Sequence, residues 1–316
     1  MNLDAQPTLV APVNWGLGHA TRCIPLVREL RRRGAEVMLA SDGAALALLR
    51  QAFPELPIFE LPGYGVRYPG QYLGLHMLLQ SPRILWAAWR EHRILRHLLR
   101  KFPAQLIISD NRLGCFHPGV KSVFLTHQLH IPARRRPAAW MADRLHHGFM
   151  GFFDEIWVPD YAEPPGLAGA PSHVKKAPRP LRYLGPLSRF EPPSGPRQRQ
   201  WRVAAVLSGP EPQRSRWERQ VLRQLGEIPG PHLLLRGLPG EAPPLPDSIP
   251  AHVAVYNHLP DEALREVLLS AELVLSRSGY SSLMDYERLG CRALLVPTPG
   301  QPEQEYLARK AQEEGR

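Results

Sequence analysis

The sequence predicts an α/β protein made of two doubly wound, parallel-sheet domains. Three observations carry that expectation. Short apolar runs of buried-strand type alternate with helix-length segments along the chain. A strand, glycine turn, helix, strand order occurs twice, once from Thr8 and again from Glu272. Between the two lies a stretch crowded with Pro, Gly and Arg, residues 185–200 (GPLSRFEPPSGPRQRQ). With 316 residues the chain is long enough for a core on each side of that stretch. The expected division is a first domain at 1–185, a linker at 186–200 and a second domain at 201–316.

The first half opens with a strand (TLVAPV, 8–13), a glycine loop (NWGLGH, 14–19) and a helix to about Arg33, which Gly34 closes before the strand AEVMLAS. Further buried-type strands are expected at 106–109 (LIIS), 122–125 (SVFL) and 155–158 (EIWV), with connections long enough for parallel crossovers. The second half restarts with RVAAVLS, continues through HLLLRG and HVAVYNHL, and forms a helix from Asp261 to about Ser270. ELVLS (272–276) is the next strand. Gly279 is expected to turn the backbone into a helix that starts near Ser281 and ends at Gly290, and a second strand and a proline-glycine loop then open a last helix.

Helix N-termini that follow strands offer unpaired N–H groups and partial positive charge, so the small residues Ser278, Gly279, Ser281 and Ser282 suit a phosphate. Asp285, inside the same helix, stands within reach of a ribose hydroxyl. In the first half, His19 closes its glycine loop and Arg22 follows one turn later, while Asp110 and His127 each follow a strand and should reach the same rim. A histidine there can accept a proton from a hydroxyl, with Asp110 as its orienting partner. Helix capping and structural hydrogen bonding are the competing readings for all three; Asp160 (WVPD) reads as a turn residue.

SxSGYSSLMD followed by TPGQPEQEYLA resembles the donor-binding half of GT-B glycosyltransferases of the family 28 type, which includes the N-acetylglucosaminyltransferase acting on the lipid-linked peptidoglycan precursor. The resemblance implies two Rossmann-like domains facing across a cleft. It implies that Ser278, Gly279, Ser281 and Ser282 hold the diphosphate of a nucleotide-sugar, with Tyr280 in the same donor-binding set, that Asp285 takes the ribose and that Glu303 with Gln304 reads the sugar. Two positions depart from the family pattern: Asp285 replaces a glutamate and Glu303 a glutamine. By the same resemblance Ser208 and Gly209 form the first phosphate loop, Arg189 reaches the nucleotide-sugar and His258 lies at the nucleobase. GLGHATR matches the family's GxGHxxR segment, which makes His19 the base candidate and places Gly18, Arg22, His127 and Gln128 on the acceptor side. The segment GLGHATRCIPLV also resembles the UDP-sugar hydrolase of pseudaminic acid synthesis, where the histidine activates water. A non-hydrolysing epimerase shares the fold but needs further acids, and a catalytically silent partner subunit is a third reading. Relatives carry more residues at the C-terminus, so a short or truncated member is expected.

The implied reaction is an inverting, single displacement from a nucleotide-diphosphate sugar, UDP-linked by default, to a glycan or lipid-linked acceptor. No cofactor is expected. The sequence holds no Asp-x-Asp pair, so helix N-termini and Arg189 are expected to carry the leaving charge without a metal. Residues 1–185 hold 23 Lys and Arg against 13 Asp and Glu, whereas 186–316 hold 16 of each. A one-sided basic field favours an anionic partner, although an Arg-rich, Pro-rich composition is the alternative cause. Residues 83–101 (RILWAAWREHRILRHLLRK) form an amphipathic helix. Arg83, Trp86, Arg90, Arg93, His97, Arg100 and Lys101 lie on one stripe, opposite Leu85, Ala88, Leu95 and Leu99. That face suits either an anionic membrane surface or plain solvent, and the basic segment 133–140 (ARRRPAAW) is expected to act with it as a loop. Aromatic and basic residues are not interleaved as single-strand binding requires, which argues against nucleic acid. Three separated cysteines, no apolar stretch of about 20 residues and no signal-type N-terminus point to a cytoplasmic protein, peripheral at the inner membrane face if the basic helix binds there.

Overall fold

The computed structural model describes residues 6–65, 73–131, 136–238, 243–245 and 249–315. The chain divides into two compact units, Met1–Arg189 and Phe190–Arg316.

The first unit holds a seven-stranded sheet in the order β3-β2-β1-β4-β5-β6-β7. Its strands are β1 (Thr8–Pro12), β2 (Val37–Ser41), β3 (Ile58–Glu60), β4 (Leu106–Asp110), β5 (Lys121–Leu125), β6 (Glu155–Val158) and β7 (Leu181–Tyr183), every pairing parallel. β1, β2 and β4 are buried along their whole length, which is why they read as continuous apolar runs. Helix α1 (Leu17–Arg32) lays Ala20, Cys23, Ile24, Val27 and Leu30 against Val10, Leu39 and Ile108. Each such Leu or Ile contributes about 1.5–3 kcal/mol by leaving water. Helices α2 (Gly43–Ala52), α3 (Leu73–Lys101) and α4 (Arg136–Met150) complete the unit.

Chain order reverses between β1 and β4, so the crevice beyond their C-terminal ends is the position where an open parallel sheet receives a ligand.

The second unit holds a five-stranded parallel sheet in the order β10-β9-β8-β11-β12. Its strands are β8 (Trp201–Val206), β9 (His232–Leu235), β10 (Val253–Tyr256), β11 (Ala271–Ser276) and β12 (Ala293–Leu295), with helices α5 (Gln213–Glu227), α6 (Asp261–Ser270), α7 (Tyr280–Leu289) and α8 (Pro302–Glu313). Here the reversal falls between β8 and β11.

Three expectations need correction. α3 begins at Leu73 rather than near Arg83, and Leu85, placed on its apolar stripe, is 51% exposed; the buried stripe is Ile84, Ala87, Ala88, Glu91 and Leu95. The basic segment 133–140 is not a loop throughout, because α4 starts at Arg136, while 133–135 lie outside the described residues. Gly279 has φ −76°, which any residue adopts, so it is not needed to turn the chain; the glycine in the left-handed region is Gly290, closing α7 at φ 58°.

Candidate active site

In the first unit His19 occupies the first turn of α1, entered through Gly16 at φ +109°, and Asp110 is the last residue of β4, paired with Pro12 of β1. The register therefore delivers both to the switch point. Nδ1 of His19 lies 3.0 Å from Oδ1 of Asp110. Arg22, one turn further along α1, donates from Nε to Oδ2 of Asp110 at 2.7 Å and from Nη2 to Oδ1. The same guanidinium places Nη1 3.1 Å from Nδ1 of His127 and Nη2 2.9 Å from Nδ1 of His19. Four of the residues expected on this rim thus form one cluster. Asp110 is fully buried and Arg22 nearly so, while the His19 side chain keeps 18% exposure.

One nitrogen cannot both give a proton to Asp110 and accept one from Arg22. Because an unprotonated Nδ1 lone pair 3.0 Å from the anionic Oδ1 would be repelled, the consistent assignment is His19 Nδ1–H to the carboxylate, which leaves Nε2 with its lone pair. Burial holds the His19 imidazole below its ordinary value, Asp110 opposes this and Arg22 adds to it. Burial would raise the Asp110 carboxyl, but Arg22 and His19 hold it below the usual carboxylate range. Asp110 is followed by Asn111 at φ 54°, a left-handed residue of the kind that collects at functional turns.

The floor of this rim is held by a second charge cluster that the sequence did not reveal. Arg112, fully buried, donates to Glu91 of α3, to Asp42 at 2.8 Å, and to the carbonyls of Pro12 (3.2 Å) and Pro62 (2.9 Å). Tyr64 and the Gly114 amide also donate to Glu91.

The outer residues have plainer tasks. Gln128 gives its N–H to Thr126 Oγ1, and its carbonyl faces His146; the Gly18 carbonyl accepts from Thr21. Asp160 receives the N–H groups of Tyr161, Leu167 and Ala168 and the hydroxyl of Ser172, a loop cap as expected. Arg189 is the last residue of this unit, and its carbonyl accepts from Arg28.

In the second unit three loops meet at the switch point. Ser208 and Gly209, both exposed, follow β8; Arg277, Ser278 and Gly279 link β11 to α7; residues 296–301 link β12 to α8. Ser278 is fully buried and donates to the Gln304 carbonyl at 2.7 Å, and Gln304 Oε1 accepts the Thr298 N–H at 2.8 Å. Ser278 therefore braces the turn before α7 against α8, and Gln304 braces the loop that opens its own helix. Tyr280 is 3% exposed, so its ring belongs to the interior and only its backbone can face a ligand. Ser281, Ser282, Asp285 and Glu303 are half-buried on α7 and α8, whereas His258 is exposed after β10, the edge strand two places from the switch point. A Cβ on Gly279 would meet nothing nearer than Ser282 Oγ at 4.0 Å, which leaves open ground at the α7 N-terminus.

Residues 252–316, which include the α7 and α8 turns, match the Glycosyltransferase family 28 C-terminal domain. An uncharacterized glycosyltransferase of Methanosarcina acetivorans is 26% identical, covering 95% of this chain and 82% of that protein, and one from Methanosarcina mazei is 24% identical over the same shares. The chain thus matches family 28 over its C-terminal segment, is similar along most of its length to glycosyltransferases, and has the GT-B fold. Solved structures agree on the fold. The spinosyn rhamnosyltransferase SpnG has a TM-score of 0.68 at 19% identity, covering 98% of this chain and 85% of that one. The calicheamicin glycosyltransferase CalG4 has 0.66 at 16% identity, covering 98% and 84%. SpnG is also solved complexed with thymidine diphosphate, with a TM-score of 0.60 at 18% identity, covering 98% and 85%.

Proposed function

We propose that this glycosyltransferase moves a hexose or N-acetylhexosamine from a nucleotide-diphosphate sugar to a glycan or lipid-linked acceptor, with inversion and without a metal. The observation that carries the reading is the His19–Asp110 pair, held by Arg22 at the switch point of the first sheet. Burial favours the neutral imidazole, and with Nδ1 turned to Asp110 it is Nε2 that is left to act as a base for a hydroxyl. Nε2 of His19 takes the acceptor proton, and the acceptor oxygen attacks the anomeric carbon. The bond from that carbon to the β-phosphate oxygen breaks, and its electron pair leaves with the nucleoside diphosphate. The open N-terminus of α7 and the Ser208–Gly209 loop supply N–H donors for that leaving charge.

The solved neighbour with thymidine diphosphate makes TDP-sugars a donor class to test beside UDP-sugars. Hydrolysis uses the same histidine on water and is separated by one experiment: release of nucleoside diphosphate with and without acceptor. Transfer predicts a rate that rises with acceptor; a rate indifferent to every acceptor assigns hydrolysis.

The acceptor side also supports contact with an anionic membrane surface. On α3, Leu85, Trp86 and Trp89 are 51%, 57% and 54% exposed, and the Arg90 and Arg93 guanidiniums lie over the two tryptophan rings at 4.7 and 4.9 Å. Amphipathic rings beside arginine suit a headgroup layer. Among the described residues no helix is long and apolar enough to cross a membrane, so any membrane contact through these helices would be peripheral.

A further inference from the structure

Five arginines are buried among the described residues, and four of them have a carboxylate against the guanidinium. Arg22 has Asp110, Arg112 has Glu91 and Asp42, Arg214 has Glu218 and Glu211, and Arg236 has Glu218. Arg277 is the exception. It is 5% exposed, its Nη1 donates to the carbonyls of Val296 (3.3 Å) and Pro297 (2.8 Å), its guanidinium lies over the Trp217 ring at 3.9 Å, and its Nε has no hydrogen-bond partner. Two carbonyls and a ring face soften the desolvation of a cation but bring no formal negative charge. Burial alone drags this guanidinium down to about 10, with no acid opposing the shift.

The position of this cation gives it meaning. Arg277 directly precedes Ser278 and Gly279 at the mouth of α7, and its two carbonyl partners directly precede Thr298. The Thr298 hydroxyl, 1% exposed, also has no hydrogen-bond partner and faces Gly209 of the first phosphate loop, 4.0 Å from where its Cβ would stand. Two buried polar groups without partners thus border the three loops that converge beyond β8 and β11.

We infer that Arg277 is a donor-binding residue whose missing counter-ion is the diphosphate of the nucleotide-sugar. The inference rests on the donor reading given above. The guanidinium ties the turn after β11 to the loop after β12, so an anion seated at α7 is held by a charge that the fold does not otherwise neutralise. This positions the leaving group and couples its arrival to the loop that opens α8.

The test is thermal unfolding of the whole chain, with and without UDP or TDP, for wild type, Arg277→Met and Arg277→Lys. Arg277→Met keeps the length of the side chain and removes the charge. It is expected to unfold at or above the wild-type temperature without nucleotide, because an unpaired buried cation is gone, and to bind UDP at least ten-fold more weakly. Arg277→Lys keeps the charge and is expected to bind UDP within a few-fold of wild type. A lowered midpoint for Arg277→Met with an undiminished UDP response would overturn the inference and make Arg277 a structural residue. Should Arg277→Met fail to fold, Arg277→Lys decides: retained UDP stabilisation supports the inference, and loss of it at a normal midpoint overturns it. A wild-type protein unmoved by either nucleotide would instead sink the donor reading itself.

Discussion

The proposed role of His19 as a base requires the form that Asp110 and Arg22 select together. Because burial and Arg22 hold its imidazole below the ordinary value of about 6.5, the neutral, proton-accepting form persists to lower pH than in a free histidine. Activity should therefore rise with pH, reach its plateau by neutrality and show an acid limb in kcat/KM with a midpoint below about 6.5. Replacing Arg22 by Gln removes a cation beside the ring, so the acid limb should move up in pH. The same change strands a buried carboxylate and is expected to cost about 3–5 kcal/mol in denaturant unfolding. Asp110→Asn should lower turnover by about 10²–10⁴-fold, since the ring loses the acceptor that fixes its tautomer. His19, Asp110 and His127 were legible because each stands at or just after a strand end, parallel topology sends such ends to one rim, and Arg22 lies one helical turn beyond His19. Arg112 and Glu91 were not. They are 21 positions apart, and a charge pair buried by tertiary packing leaves no local signal. Arg277 was passed over because an arginine in a turn reads as solvated, and only packing against Trp217 shows otherwise.

The turn into α7 shows how an element can be read correctly for an incomplete reason. The motif was visible, yet Gly279 is neither left-handed nor crowded, so its backbone would accept a side chain. In the proposed donor site its use is close approach of the backbone to a ligand. Gly279→Val should change the unfolding free energy by no more than about 1 kcal/mol, within the range of β-branched substitution near a helix start, while raising the donor KM ten-fold or more. Equal KM values for the two proteins would remove α7 from the donor site. On α3 the apolar stripe was read correctly at Ala88 and Leu95 but not at Leu85, because Leu85, Trp89 and Ile94 stand out beside the arginines while Ile84 and Ala87 are buried. Trp86→Ala together with Trp89→Ala should weaken co-sedimentation with vesicles containing anionic lipid and leave UDP binding unchanged. Undiminished co-sedimentation would reduce that face to a solvated one.

For the whole molecule, two parallel sheets, each with a switch point near its centre, follow from the strand and helix alternation of the sequence. What the alternation omitted were short or edge elements such as β3 and β7, three residues each, whose signal is too brief to separate from a loop. The excess of basic charge in residues 1–185 belongs to the sequence segment that carries His19 and α3, and it fits an anionic acceptor better than a compositional accident, because residues 186–316 are balanced. The central claim is that His19 is the base of a transfer from a nucleotide-sugar. Its most direct measurement is the rate of nucleoside diphosphate release from UDP- and TDP-linked hexoses. It would be run with and without glycan or lipid-linked acceptors, for wild type and His19→Gln side by side. The account predicts release that rises with an acceptor and falls at least 100-fold in His19→Gln while nucleotide binding persists; equal rates for the two proteins would contradict it.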